Sequence, residues 1–173
     1  MAQVPDQADD NADHYWMNRA LGLAGLARQA GEVPVGAVLT LDGREIGAGF
    51  NAPISGCDPT AHAELRAIRD AAARVGNYRL TGATLYVTLE PCTMCVGAIV
   101  HSRISRVVYG APEPKAGAVD SVRASFQDDH LNWQVEASGG VLAEQCSAII
   151  SDFFSARRAE IRRRRQDITG KEL

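Results

Sequence analysis

"ATLYVTLEPCTMCVGAIVH", residues 83–101, decides the architecture. Ala83 to Leu89 is apolar and β-branched, the composition of a buried strand. Pro91 then opens a helix running to about His101, because its missing N–H belongs to a turn that leaves such donors unpaired anyway. A strand that feeds directly into a helix is the repeating unit of a layered α/β domain.

The flanking sequence extends that pattern in both directions. Upstream, "VPVGAVLTLDGREIGAGFN" reads as two strands joined at Asp42-Gly43, since both residues tolerate positive φ. A loop, "NAPISGCDPT", follows, and then a helix from about Ala61 to Arg74, with capping signals in Asp58 and Thr60. At the N-terminal end, Asp13 caps a helix over 14–29 whose inner face carries Trp16, Ala20, Leu23, Ala24 and Ala27. Downstream, "RVVYGA" is a fourth strand, residues 111–130 are irregular, and "NWQVEAS" is a weak fifth strand. A long helix occupies about Val141 to Arg165. Strands and helices alternate after the hairpin, so an α/β fold is expected.

A length of 173 residues suits one domain with one sizeable core. The first thirteen residues, "MAQVPDQADDNAD", are acidic and polar, which predicts a disordered tail rather than a leader peptide. No apolar run is long enough to span a bilayer, so a cytoplasmic protein without a membrane partner is expected. The net charge of −3 argues against a protein that coats nucleic acid by charge alone. The charge is uneven, however: "RRAEIRRRR", Arg157 to Arg165, holds six Arg against one Glu.

In such a chain the four cysteines, Cys57, Cys92, Cys95 and Cys146, favour metal binding or catalysis over disulfides. Cys92 and Cys95 stand three apart in the first turn of a helix, which puts both sulfurs on one side. The positive helix end favours thiolates there. The pair could also serve as a redox dithiol, although its surroundings do not resemble thioredoxin. Two thiolates do not close a zinc site. A neutral histidine is the natural third ligand, and it leaves a fourth position open, as in catalytic zinc.

His62-Ala63-Glu64 offers that histidine, but the motif alone is weak. On a regular helix, residues two apart point about 200° from one another. The objection fades if His62 and Glu64 sit at the helix end, where side chains of the first turn converge. Glu64 would then lie near a metal-bound water without ligating it, the place of a general acid–base. Together, His-x-Glu and Pro-Cys-x-x-Cys form the signature of zinc-dependent nucleobase deaminases.

From about residue 14 to 160 the chain resembles the bacterial tRNA-specific adenosine deaminases. The resemblance rests on "EVPVGAV", "GFNAPI", "DPTAHAE", "NYRL", "ATLYVTLEPCTMC", "HSRISRVVYGA" and "SDFF". It implies a three-layer α/β/α, cytidine-deaminase-like fold with a central five-stranded mixed sheet. It also implies a homodimer with one Zn²⁺ per chain held by His62, Cys92 and Cys95, and Glu64 as proton shuttle. Asn51 is implied to contact a flipped nucleoside. Where the family typically has Gly-Ala-Arg-Asp, this chain has Gly-Ala-Pro-Glu, ending at Glu113; the resemblance implies that this acid lies near the target nucleotide's backbone.

The expected organisation is therefore a tail over 1–13, a deaminase domain over 14–165 and a flexible tail over 166–173. The expected reaction is hydrolytic deamination of adenosine to inosine at the wobble position of a tRNA anticodon stem-loop. Lys115, Arg157, Arg158, Arg162, Arg163, Arg164 and Arg165 are the candidate RNA contacts. Two alternatives stand beside this reading: a zinc-dependent deaminase of a free base or nucleoside such as cytosine or guanine, and a zinc-stabilised RNA-binding module without chemistry. Glu64 counts against the second, because a structural site needs a fourth ligand.

Overall fold

Asp42 and Gly43 take φ of 49° and 70°. Two successive positive φ angles are what a two-residue hairpin needs to follow the right-handed strand twist. The hairpin they close joins β1 (Gly36–Leu41) to β2 (Arg44–Phe50). The computed structural model describes residues 7–169. Before the hairpin lies α1 (Gln7–Gln29). After it come α2 (Ala63–Val75), β3 (Thr84–Leu89), α3 (Thr93–His101), β4 (Arg106–Ala111), a single 3₁₀ turn (Ser125–Gln127), β5 (Glu136–Gly139) and α4 (Ala143–Thr169).

The five strands form one mixed sheet in the order β2-β1-β3-β4-β5. The β1–β2 and β1–β3 pairs are antiparallel, while β3–β4 and β4–β5 are parallel. Strand alternation sorts the apolar side chains onto two faces. Ala37, Leu39, Leu85, Val87, Val107 and Tyr109 pack beneath α2 and α3. Val38, Tyr86 and Val108 pack against Met17, Ala20 and Leu23 of α1 and Cys146 of α4. The expected three-layer α/β/α fold with a five-stranded mixed sheet is the fold observed.

Helix α2 lies unusually close to β2. A Cβ at Gly49 would stand 2.5 Å from the Ala63 carbonyl oxygen, and one at Gly47 would stand 2.5 Å from that of Ala67. Only glycine permits that approach, and it sets the height of α2 above the sheet.

Several boundaries differ from those the sequence predicts. Helix α1 begins at Gln7, so the expected tail over 1–13 is helical from residue 7; residues 1–6 lie outside the described residues. Asp13 consequently does not cap the helix. It is buried within it and accepts two hydrogen bonds from the Arg106 guanidinium, at 2.8 and 2.7 Å, and one from the Tyr86 hydroxyl at 3.0 Å. This ion pair ties α1 to the start of β4. Met17, rather than Trp16, is the fully buried residue at the head of the α1 face. Helix α4 continues through Thr169, so the expected flexible tail over 166–173 is helical at its start, with 170–173 outside the described residues.

Gly49→Ala should push α2 off β2 and lower stability by about 1–3 kcal/mol, the usual range for overpacking. Gly22→Ala, on the exposed side of α1 with nothing within 4 Å, should be neutral or stabilising by up to about 1 kcal/mol. Urea unfolding of the two variants checks both signs.

Candidate metal centre and active site

Helices α2 and α3 both begin at the same end of the sheet, and each begins with a residue that is not itself helical. His62 is the N-cap of α2, with φ −70° and ψ 153°. Cys92 is the N-cap of α3, with φ −80° and ψ 172°. Neither side chain caps its own helix. Asn51 does that for α2, its Oδ1 accepting the Ala63 N–H at 2.9 Å. Asp58 instead closes its own turn, accepting from the Thr60 N–H at 2.8 Å and the Thr60 hydroxyl at 2.7 Å. The helices thus start at Ala63 and Thr93, each two residues later than the sequence predicts. The delay is what frees His62 and Cys92 to point off the helix ends.

The released side chains meet Cys95, in the first turn of α3. Cys92 Sγ and Cys95 Sγ are 3.7 Å apart, and His62 Nδ1 lies 3.7 Å from the first and 3.6 Å from the second. A tetrahedral zinc ion with bonds of about 2.3 Å to sulfur and about 2.0–2.1 Å to nitrogen sets an S···S edge of about 3.8 Å and an S···N edge of about 3.5 Å. The triangle fits such an ion to within a few tenths of an ångström. Three atoms leave a fourth corner, and among the described residues no other His, Cys, Asp or Glu joins this group.

Electrostatics favour a cation here. The Cys92 thiol is drawn down to about 3, chiefly by the hydrogen bond from Cys95 and further by His62. Cys95 is pushed up by its bond to Cys92 and by burial. Binding a cation would expel the remaining proton.

Glu64, one residue into α2, is 4% exposed. Burial raises its pKa, against the opposing pull of His62 and the Cys95 thiol. It shares a cavity of ≈ 270 Å³ with Asn51, His62, Cys92 and Glu113. The side-chain direction that looked unfavourable from spacing is resolved by geometry: His62 is extended and Glu64 is helical, so the 200° separation never applies.

The other sequence-predicted residues are spread more widely. Glu113 borders the cavity, and its Oε1 accepts the Lys115 N–H at 2.9 Å. Lys115 itself is exposed. Arg157 donates to the Gly31 carbonyl at 3.4 Å, beside the Val33 and Val35 that line the cavity. Arg158 bonds the Ser155 hydroxyl and Arg164 pairs with Glu160, both along α4 itself. Arg162, Arg163 and Arg165 are exposed. The structure thus brings His62, Glu64, Cys92, Cys95, Asn51 and Glu113 together; of the basic set, Lys115 adjoins them through its backbone bond to Glu113, and Arg157 reaches the turn that precedes Val33.

Sequence reasoning missed two buried carboxylates that hold the cavity walls. Glu32, 1% exposed, accepts the N–H groups of Ile54 and Ser55 at 3.3 and 2.7 Å and so fixes the loop after β2. Glu90, 3% exposed, accepts backbone donors from the segment after β4. Burial would raise the Glu90 pKa, but its donors outweigh that and hold it at about 2. The available signal was an acid set directly against a buried strand, in "GEVPV" and "TLEPC".

Fold and site together define a zinc-site deaminase. Residues 10–111 match the cytidine and deoxycytidylate deaminase zinc-binding region, and the chain belongs to that family. A tRNA-specific adenosine deaminase of Haemophilus influenzae is 54% identical over 149 residues, 86% of each chain. Its counterpart in Bacillus subtilis is 41% identical over 157 residues, 91% of this chain and 98% of that one. A solved structure from a study of A-to-I editing by tRNA:A34 deaminases at the wobble position of transfer RNA is 44% identical. It covers 78% of this chain and 98% of its own, with a TM-score of 0.76. Within the wider family, this chain groups with the tRNA-specific adenosine deaminases.

Cys92→Ala should leave two metal-binding atoms, and zinc in purified protein should fall from about one per chain to near zero. Cys57→Ala, at an exposed loop cysteine outside the triangle, should retain it. Elemental analysis of both variants distinguishes the site from adventitious thiol binding.

Proposed function

We propose that the chain is a zinc-dependent hydrolase that deaminates adenosine to inosine at the wobble position of a tRNA anticodon. The observation that carries this reading is the ligand-sized triangle of His62, Cys92 and Cys95, set beside a buried Glu64 on a cavity suited to one nucleoside. The near full-length similarity to tRNA-specific adenosine deaminases supports the choice of substrate.

In this reading His62, Cys92 and Cys95 hold one Zn²⁺ per chain. When bound, that ion acidifies a water enough for it to attack at neutral pH. Glu64 would take one proton from the attacking water and pass it to N1, then take the second from the hydroxyl added at C6 and pass it to the amino group as the C6–N bond breaks. Its raised pKa suits a group that must both accept and return a proton. Ammonia departs and inosine remains. Asn51 has committed Oδ1 to the α2 cap, so its role toward the nucleoside falls to Nδ2, with Glu113 on the same cavity. Flipping is inexpensive because an anticodon base is already unpaired.

Lys115 and the arginines of α4 supply the phosphate contacts. Arg157 to Arg165 spans about 12 Å of helix, and from Phe154 through Gln166 every residue is exposed. Arg suits phosphate because its planar fork bonds two oxygens. No helix among the described residues is long and apolar enough to cross a membrane. A cytoplasmic homodimer acting on the anticodon stem-loop completes the proposal.

Incubation with an anticodon stem-loop, adenosine, cytidine and guanine in separate reactions, with ammonia as readout, tests the substrate class. Release from the stem-loop alone is expected. Release from guanine or cytidine would move the assignment to a free-base or nucleoside deaminase.

Glu64→Gln keeps size and polarity but shuttles no proton. Activity should fall by at least about 10⁴-fold, the upper end for general acid–base catalysis, with zinc content unchanged. Zinc loss in this variant would place Glu64 among the ligands and overturn its assigned role. For the basic helix, replacing Arg162, Arg163, Arg164 and Arg165 by Gln should raise KM for RNA. It should also reduce the salt slope of log affinity by roughly 2, if two or three phosphates are released. Titration at several salt concentrations measures that slope.

A further inference from the structure

Glu90 is the last residue before the Pro91-Cys92 step, and its carboxylate is taken up by the segment after β4. Oε1 accepts the N–H groups of Val119, Asp120 and Ser121 at 3.1, 2.8 and 2.9 Å. Oε2 accepts the Glu113 N–H at 2.9 Å and the Ser121 hydroxyl. Five donors from one segment of nine residues thus converge on a single buried carboxylate. Such charge-assisted bonds are among the stronger ones a loop can have.

The same segment is also laid against the metal-binding chain. The Ala118 N–H donates to the Pro91 carbonyl at 2.9 Å, and Cys92 and Gly117 form a β-bridge. Gly117 passes so close to the carboxylate that a Cβ there would stand 2.2 Å from Glu90 Oε2. Within this segment, Glu113 and Ala116 line the cavity that Glu64 and His62 share. Glu90 borders the same cavity, but both of its carboxylate oxygens are committed to the 113–121 segment, so its part is to hold that wall.

We infer that Glu90 is a positioning residue for deamination, fixing the 113–121 wall so that the bound base is held in attacking geometry beside Glu64. The inference rests on the deaminase reading above. Glutamine at this position is the informative change. It keeps the volume but replaces an acceptor oxygen with an NH₂ group aimed at N–H donors, so the clamp is repelled rather than merely weakened. Gly117→Ala attacks the same clamp from the other side and leaves Glu90 in place.

The test is made on full-length, zinc-loaded protein. First, hydrogen exchange in Glu90→Gln should accelerate at the amides of Glu113, Val119, Asp120 and Ser121, while Val96 and Ile99 in α3 stay protected. Second, zinc content should match wild type. Third, kcat on the stem-loop should fall by about 10²-fold, the scale expected when reacting groups are misplaced by about 1 Å. KM should change by less than about threefold, because the RNA is gripped elsewhere. Gly117→Ala should reproduce this split, and the double variant should lose little more than either single one, since both break one clamp.

Unchanged exchange at the four amides would overturn the clamp. Fast exchange with kcat preserved would overturn the positioning role. Loss of zinc, or general loss of protection in α3, would make Glu90 a residue of folding alone. Wild-type failure on the stem-loop would instead sink the substrate assignment, and the exchange result would stand independently of it.

Discussion

The site depends on two helix N-termini meeting end to end, each preceded by a residue left in extended conformation. His62 and Cys92 occupy N-cap positions without performing the capping. A regular helix would have turned His62 and Glu64 to opposite sides. Because Asn51 takes over the Ala63 N–H, His62 is free to face Cys92 and Cys95 while Glu64 stays in the first turn. The two positive helix ends also converge there, which favours thiolates and then a carboxylate near a cation. One side-chain amide cap thus couples the folding of α2 to the assembly of the triangle.

The sheet supplies the precision that this arrangement needs. Gly47 and Gly49 let α2 ride directly on β2, and parallel pairing of β3 with β4 sets the starting point of α3 relative to the segment after β4. Two buried carboxylates then fasten the irregular stretches on either side of the cavity: Glu32 holds the loop after β2, and Glu90 holds the segment after β4. Both irregular stretches are tied to the sheet ends by charge-assisted bonds, and the segment after β4 also buries Ala118 and Val119 in the core.

Local chemistry made much of this legible beforehand. Asp42-Gly43 announced the hairpin, the β-branched run announced β3, and the cysteine spacing announced a pair of sulfurs on one helical turn. The fold class and the metal triangle followed from such short-range patterns together with the family resemblance. What stayed hidden depends on distant partners. Asp13 looked like a cap, because nothing near it in sequence reveals Arg106, 93 residues away. Glu90 looked like a residue between a strand and a proline, because its donors come from positions 113–121. The capping role of Asn51 was likewise out of reach, since Asp58 and Thr60 offered a nearer and plausible cap.

The central claim is that three protein atoms at the helix ends hold one zinc ion and leave one corner open. X-ray absorption at the zinc edge of the purified protein reads that shell directly. The account predicts two sulfur neighbours at about 2.3 Å and two lighter neighbours at about 2.0–2.1 Å, one from His62 and one exchangeable. A shell with three or four sulfurs, or with none, would contradict it.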